Sequence, residues 1–86
     1  MPKISEFYGI SIYMYYRDHP PPHFHAIYAG SEIQFEIGVL AAMAGHLPPR
    51  ALGLVVEWAS QHQDELHRNW ENAEAGRPLE RIKPLN

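Results

Sequence analysis

The chain lacks three features that would each assign it to a class of protein. It has no cysteine in 86 residues, which excludes both a disulfide framework and a zinc site built on thiolates. It has no run of about 18 apolar residues, so we predict no membrane-spanning helix. Its opening segment, MPKISEFYG, lacks the apolar core of a signal peptide. We therefore expect a cytoplasmic protein that does not associate with a membrane.

An excess of positive charge is also missing. Lysine and arginine number 7 against 10 acidic residues, and the formal net charge is −3. A protein that binds nucleic acid non-specifically normally needs a positive excess to displace counterions from phosphates. Nucleic acid is therefore not favoured as a partner, although Arg77, Arg81 and Lys83 form a small basic cluster near the C-terminal end.

The hydrophobic content of 45% is sufficient for one small folded domain. We expect this domain to cover residues 1–86, with a sheet in 1–47, a helix in 49–75 and an extended tail in 77–86. A core of this size stabilises a domain by only a few kcal/mol. Self-association is therefore worth expecting.

Alternating apolar residues predict the strands of the sheet. The segments Gly9–Tyr16, His23–Tyr28 and Glu32–Ile37 have this alternation, and Val39–Met43 is read as a short fourth strand. A tight two-residue turn at Ala29-Gly30 or at Gly30-Ser31 would join the second and third strands, because glycine accepts positive φ.

A long helical pattern follows Pro48. Proline in the first turn and glycine after the last turn suggest boundaries at Pro49 and Gly76. Such a helix would be roughly 40 Å long at 1.5 Å per residue, which exceeds what a small sheet can cover. Either it breaks near residues 60–63, or its second half packs on another subunit. The second case predicts a homodimer with Trp70, Leu66 or His62 near the contact.

These elements predict an α+β fold, in which an antiparallel sheet of three or four strands packs against one long C-terminal helix. The same sheet with a helix broken near residues 60–63 is the alternative.

The register of the predicted hairpin assigns its side chains to two faces. Phe24 shares a face with Phe35, whereas His23 and His25 lie on the opposite face, since a slip of one residue would bury both histidines among the apolar side chains. If the first strand joins the same sheet, this second face is a polar surface. The predicted binding surface consists of Tyr13, Tyr15, His23, His25, Gln34 and Glu36.

The histidines lie in the stretch DHPPPHFHA, between Asp18 and Ala26. Two histidines at i and i+2 on a strand project to one side and can share a metal ion. With His19 or Glu36 as third ligand, His23 and His25 would form a site for a divalent transition metal such as zinc, with one open position.

Two other interpretations of this stretch stay open. It can be a stiff recognition edge, in which prolines fix the loop and neutral imidazoles form hydrogen bonds with a partner. It can also support metal-independent acid–base chemistry, with a histidine as general base and Arg17 or Arg50 holding a phosphate. No catalytic residue can be assigned on this basis.

Several separated motifs resemble one bacterial family. The opening MPKISEFYGI, the PPHFHA signature, the LPPRAL helix start and the NWE near the helix end occur in the same order in the domain of unknown function 4160 family. The resemblance implies a small standalone bacterial α+β protein and no established activity. Family members are often encoded beside another small protein, which implies a partner and a pair of the toxin–antitoxin or regulatory type. The apolar segment Gly38–His46 departs from the polar residues common there and could mark an added contact surface.

Three functions follow as expectations. The first is a small soluble interaction or regulatory protein that acts through a partner encoded nearby, as one half of a toxin–antitoxin-like gene pair. The second is a metal-binding protein or a metal-dependent hydrolase or nuclease that uses His19, His23 and His25. The third is the metal-independent nuclease. Absent catalytic motifs and the acidic net charge favour the first, which need not be an enzyme.

Overall fold

Five β-strands precede two α-helices in the computed structural model, which describes residues 2–86. The strands are β1 (Lys3–Phe7), β2 (Ile10–Tyr13), β3 (His23–Tyr28), β4 (Ser31–Glu36) and β5 (Ala41–Gly45). The helices are α1 (Pro49–Gln61) and α2 (Gln63–Glu74). All strand pairs are antiparallel, and the order is β1-β2-β3-β4-β5. The α+β class is confirmed, but the prediction of three or four strands and one helix is wrong in its counts.

The additional strand is β1, which the alternation pattern did not reveal. It pairs with β2 through a two-residue turn, in which both Tyr8 and Gly9 have positive φ. Such a turn matches the twist of the flanking strands. The strand β2 is shorter than the predicted Gly9–Tyr16, because the chain leaves the sheet after Tyr13.

The β3–β4 hairpin has the predicted register. Its turn is Ala29-Gly30, with φ of 49° and 84°, and Phe24 lies opposite Phe35. His23 and His25 therefore project to the other side of the sheet from Phe24. The fourth predicted strand also exists, but as β5 it begins at Ala41 rather than Val39.

The helical segment breaks at His62, whose φ of −133° and ψ of 26° lie outside the helical region. The single helix over 49–75 is therefore wrong, and the broken alternative is right. After the break, the Gln63 side chain donates to the backbone oxygen of Ile37 at 2.9 Å, which attaches the start of α2 to the end of β4. Leu66 and Trp70 are buried within the chain itself. The overhanging helix that suggested a homodimer contact at these residues is absent.

The core lies between the sheet and the helices. The Trp58 ring packs against those of Phe7 and Phe24, at centroid distances of 5.3 and 5.7 Å. Its indole N–H donates to the backbone oxygen of Lys83 in the tail at 2.9 Å. Within residues 2–86, neither helix is long and apolar enough to cross a membrane.

Candidate metal centre

The loop between β2 and β3 brings a carboxylate to the two strand histidines. His23 and His25 stand two residues apart on β3 and project to one side of it. The loop, residues 14–22, is held to α2 by a backbone hydrogen bond from Arg17 N–H to Ala73 O. It returns to β3 so that Asp18 faces both imidazoles.

The three side chains converge on one point. Oδ2 of Asp18 lies 3.0 Å from Nε2 of His23 and 3.3 Å from Nε2 of His25. One ligand atom from each residue lies within 4.8 Å of the other two. His23 and His25 are only 1% and 6% exposed, and Asp18 is half-buried. We call Asp18, His23 and His25 the Asp-His-His cluster.

Each member of the Asp-His-His cluster is held by a second contact. Nδ1 of His23 lies 2.8 Å from the backbone oxygen of Pro21, and Nδ1 of His25 lies 2.9 Å from Oε2 of Glu32. Oδ1 of Asp18 accepts from the backbone N–H of His19 at 2.8 Å. Metal-ligating histidines usually donate their other ring N–H to a carbonyl or carboxylate, which sets the tautomer and orients the ring. Both His23 and His25 have such a partner at Nδ1.

The hydrogen-bond contacts of the cluster require more positive charge than two neutral imidazoles supply. The backbone oxygen of Pro21 can only accept, so Nδ1 of His23 must carry a hydrogen, and the ionised carboxylate of Glu32 demands the same of His25. A neutral imidazole has only one such hydrogen. With both rings neutral, each Nε2 therefore points a lone pair at Oδ2 of Asp18, another acceptor. Either extra protons or a cation must complete the arrangement.

The environment also favours the charged form of Asp18. Burial by itself raises the pKa of this carboxyl. The backbone hydrogen bond from His19, the hydrogen bond with the His25 ring and the nearby His23 and His19 rings outweigh burial, so the pKa is lowered from its usual value. The contribution of the two cluster rings requires that they carry the extra protons, whereas the backbone hydrogen bond from His19 favours the anionic carboxylate in either case.

Aromatic side chains enclose the cluster. The Tyr15 ring meets the His25 ring edge-on at a centroid distance of 4.3 Å, and the Trp70 ring lies 5.3 Å from that of His23. Burial, followed by the negative charge of Glu32, raises the pKa of the Tyr15 hydroxyl, so this side chain stays neutral.

Only part of the predicted binding surface is thus accessible to solvent. Tyr13 pairs with His25 across β2 and β3, and Gln34 and Glu36 lie opposite His25 and His23 on β4, as the register requires. Tyr13, Tyr15, Gln34 and Glu36 are half-buried. His23 and His25, however, are buried, because the loop and α2 cover them.

The side chain that lies with His23 and His25 is that of Asp18, not that of His19 or Glu36. The His19 side chain is 67% exposed and lies outside the cluster, with Nδ1 2.8 Å from Oδ1 of Asp18. Glu36 makes no hydrogen bond to either histidine among the residues described; the carboxylate in contact with His25 is that of Glu32. The sequence assigned Asp18 only to a turn. Its spacing, D-x4-H-x-H, is the signal that could have identified it.

Arg50, one of the two residues expected to hold a phosphate, lies elsewhere. It lines a pocket of about 260 Å³ beside Tyr8, Tyr28 and Leu54 at the start of α1, to which no member of the cluster contributes. Arg17 lies beside Gly76 at the end of α2. Among residues 2–86, no arginine joins the cluster by a hydrogen bond or an ion pair.

A five-stranded antiparallel sheet, two helices and a buried Asp-His-His cluster define a small α+β protein with a candidate metal centre. The family model described as Domain of unknown function (DUF4160) matches residues 9–71, and the chain belongs to this family. The matched range contains the whole cluster and Glu32. No curated protein and no solved structure matches the chain.

Proposed function

We propose that this protein binds one divalent transition metal ion, such as zinc, through Oδ2 of Asp18 and Nε2 of His23 and His25. The observation that carries the proposal is that two neutral imidazoles have too few N–H groups for the oxygen atoms that they face. Each ring nitrogen of both histidines faces an oxygen acceptor. A cation between the two Nε2 atoms and the carboxylate removes the conflict without requiring doubly protonated, buried imidazoles.

The spacing of the ligand atoms supports this assignment. Tetrahedral coordination with bonds of about 2.0–2.1 Å places neighbouring ligand atoms roughly 3.3 Å apart. The distances from Asp18 Oδ2 to the two Nε2 atoms, 3.0 and 3.3 Å, are close to that edge length. Two imidazoles and one carboxylate suit zinc and other first-row transition metals, whereas magnesium and calcium prefer oxygen ligands only.

Three protein ligands would leave at least one coordination position open, as in catalytic zinc sites. A metal ion with an open position polarises carbonyl or phosphoryl oxygens and activates water. The same site therefore supports the alternative of a metal-dependent hydrolase or nuclease. Asp18 and His25 face the less enclosed side of the cluster, with side chains 17% and 8% exposed, so a small ligand would approach from there.

Titration of untagged protein with zinc, followed by calorimetry, tests the proposal. We expect one zinc per chain, and we expect replacement of His23 and His25 together by asparagine to weaken binding at least about 100-fold. His46→Asn is the control, because this exposed histidine lies outside the cluster and its side chain contacts no member of it among the residues described; its affinity should change only a few-fold.

Thermal unfolding adds a second readout. Ligand present at about 100 times its Kd stabilises the folded state by about 2.7 kcal/mol. A chelator should therefore lower the Tm of the zinc-loaded protein, and excess zinc should restore it. Wild-type protein that takes up no zinc at micromolar concentration, or a double variant that binds as the wild type does, would contradict the proposal.

A second candidate function is interaction with a protein partner, including the expected toxin–antitoxin-like pair in the cytoplasm. The observation that favours it is a surface pocket of about 260 Å³ lined by Tyr8, Tyr28 and Leu54, in which Tyr8 is 59% exposed. A pull-down from bacteria that carry both neighbouring genes, with and without zinc, tests whether the chain binds the product of the adjacent gene.

A further inference from the structure

The two edges of the sheet are protected very differently. At the β1 edge, the backbone N–H of Ile82 in the tail donates to the backbone oxygen of Ile4 at 2.8 Å. The same strand carries a Lys3–Glu6 ion pair at 2.7 Å. A covering segment and charged side chains are the usual means by which proteins block strand addition at an edge.

The β5 edge has neither protection. No strand among residues 2–86 pairs with the outer side of β5, which is the last strand of the sheet. The segment 38–45, GVLAAMAG, contains no charged residue and no proline. Ala41, Ala42 and Ala44 are exposed, and the neighbouring Val39 is 66% exposed. An unpaired, uncharged, apolar edge is a template for another strand.

We propose that this edge pairs with β5 of a second copy of this chain, antiparallel about a two-fold axis, to give a continuous sheet of ten strands. The proposal is independent of the metal site. It also moves the expected homodimer contact away from Leu66 and Trp70, which the chain buries by itself.

Two observations favour a second copy as the occupant. First, an antiparallel pairing of identical strands continues the all-antiparallel order of this sheet and is self-complementary, as a two-fold interface requires. Second, although each chain carries a net charge of −3, the paired segments carry none, so like charges do not meet at the seam. Alanine and glycine also lose almost no side-chain entropy when they are buried.

Sedimentation equilibrium of the full chain tests the proposal over about 1–100 μM, the range in which a weak edge-to-edge dimer is expected to dissociate. We expect dimer at the upper end. Ala44→Lys adds a charge to the exposed edge and should raise the dimer Kd at least about tenfold. Ala75→Lys adds the same charge at the exposed end of α2 and should leave the dimer Kd unchanged.

Disulfide trapping gives a measurement that does not depend on the lysine variant. Because the chain has no cysteine, single substitutions Ala41→Cys, Ala42→Cys, Met43→Cys and Ala44→Cys can be compared without background. A disulfide needs Cα atoms within about 7 Å of each other. Under mild oxidation, the position nearest the two-fold axis should cross-link most, whereas Ala75→Cys should not cross-link.

A monomer mass throughout the concentration range overturns the proposal. The β5 edge would then be open to a partner of different sequence. A dimer that Ala44→Lys does not weaken, with no cross-link at any β5 position, overturns it equally, because the contact then lies elsewhere.

Discussion

The imidazole of His23 packs against the indole of Trp70, with 5.3 Å between the ring centroids. This contact joins a member of the Asp-His-His cluster to a residue that α2 contributes to the core. The environment of Trp70 should therefore change when the cluster binds a metal ion, whereas the environment of Trp58 should change less.

Nuclear magnetic resonance can detect this difference, because the chain has two tryptophans and hence two indole N–H signals. We expect zinc to shift the Trp70 signal clearly and the Trp58 signal only slightly. Trp58 is the internal control, since the imidazole beside it belongs to His62 rather than to the cluster. The variant Trp70→Phe assigns the two signals. Equal shifts of both, or no shift of either at saturation, would count against metal binding at this cluster.

Removal of the carboxylate behind His25 should weaken metal binding. Oε2 of Glu32 accepts from Nδ1 of His25 at 2.9 Å, and loss of such a supporting contact typically weakens metal affinity 10–100-fold. We expect Glu32→Ala to lower zinc affinity by about that factor in calorimetry. Glu36→Ala removes a carboxylate from the same strand that makes no hydrogen bond to either histidine, and its affinity should match the wild type. If Glu36→Ala lowered zinc affinity more than Glu32→Ala, then Glu36 would be the carboxylate that supports the histidines, as the sequence predicted.

A buried amide holds the tail at Glu80. The Asn69 side chain donates to the backbone oxygen of Glu80 at 2.8 Å and accepts from its backbone N–H at 2.9 Å. Because Asn69 is 1% exposed, Asn69→Ala should destabilise the protein by about 1–3 kcal/mol in urea denaturation. Asn72→Ala, which removes an exposed contact with Arg77, should change stability by less than about 0.5 kcal/mol. Similar effects of the two variants would show that the tail is not anchored through Asn69.

A close backbone approach makes Gly45 irreplaceable. A Cβ at this position would overlap the backbone oxygen of Glu32, and the φ of Gly45 is +75°. We expect Gly45→Ala to lower the free energy of unfolding by more than about 3 kcal/mol, because a steric clash adds to the backbone strain. Gly30→Ala has the same sign of φ but no atom within 4 Å, and should lower it by only about 1 kcal/mol. Calorimetric melting of both variants gives the comparison; equal losses would show that strain alone determines the effect.

Local sequence patterns predicted the elements whose formation depends on residues close together in the chain. The β3–β4 hairpin followed from alternation around Gly30, and the helical segment from Pro49 and Gly76, of which Gly76 has a φ of +73° just after α2. The strand β1 was missed because it is short and three of its five residues are polar or charged. The break at His62 has no proline or glycine to mark it, so the sequence left it as an alternative. Contacts such as that of Gln63 with Ile37 are made only after the helices have docked.

The sequence by itself determined that His23 and His25 share one side of β3 opposite Phe24, because side chains alternate along any strand and the apolar residues need the core. Only the tertiary structure decided that these histidines are buried and that Asp18, rather than His19, completes their cluster. Asp18 and His19 are neighbours in a loop between two strands, and no periodic pattern says which of them turns inward. The docking of that loop on α2, through the hydrogen bond from Arg17 to Ala73, sets its direction, and this contact spans more than half of the chain.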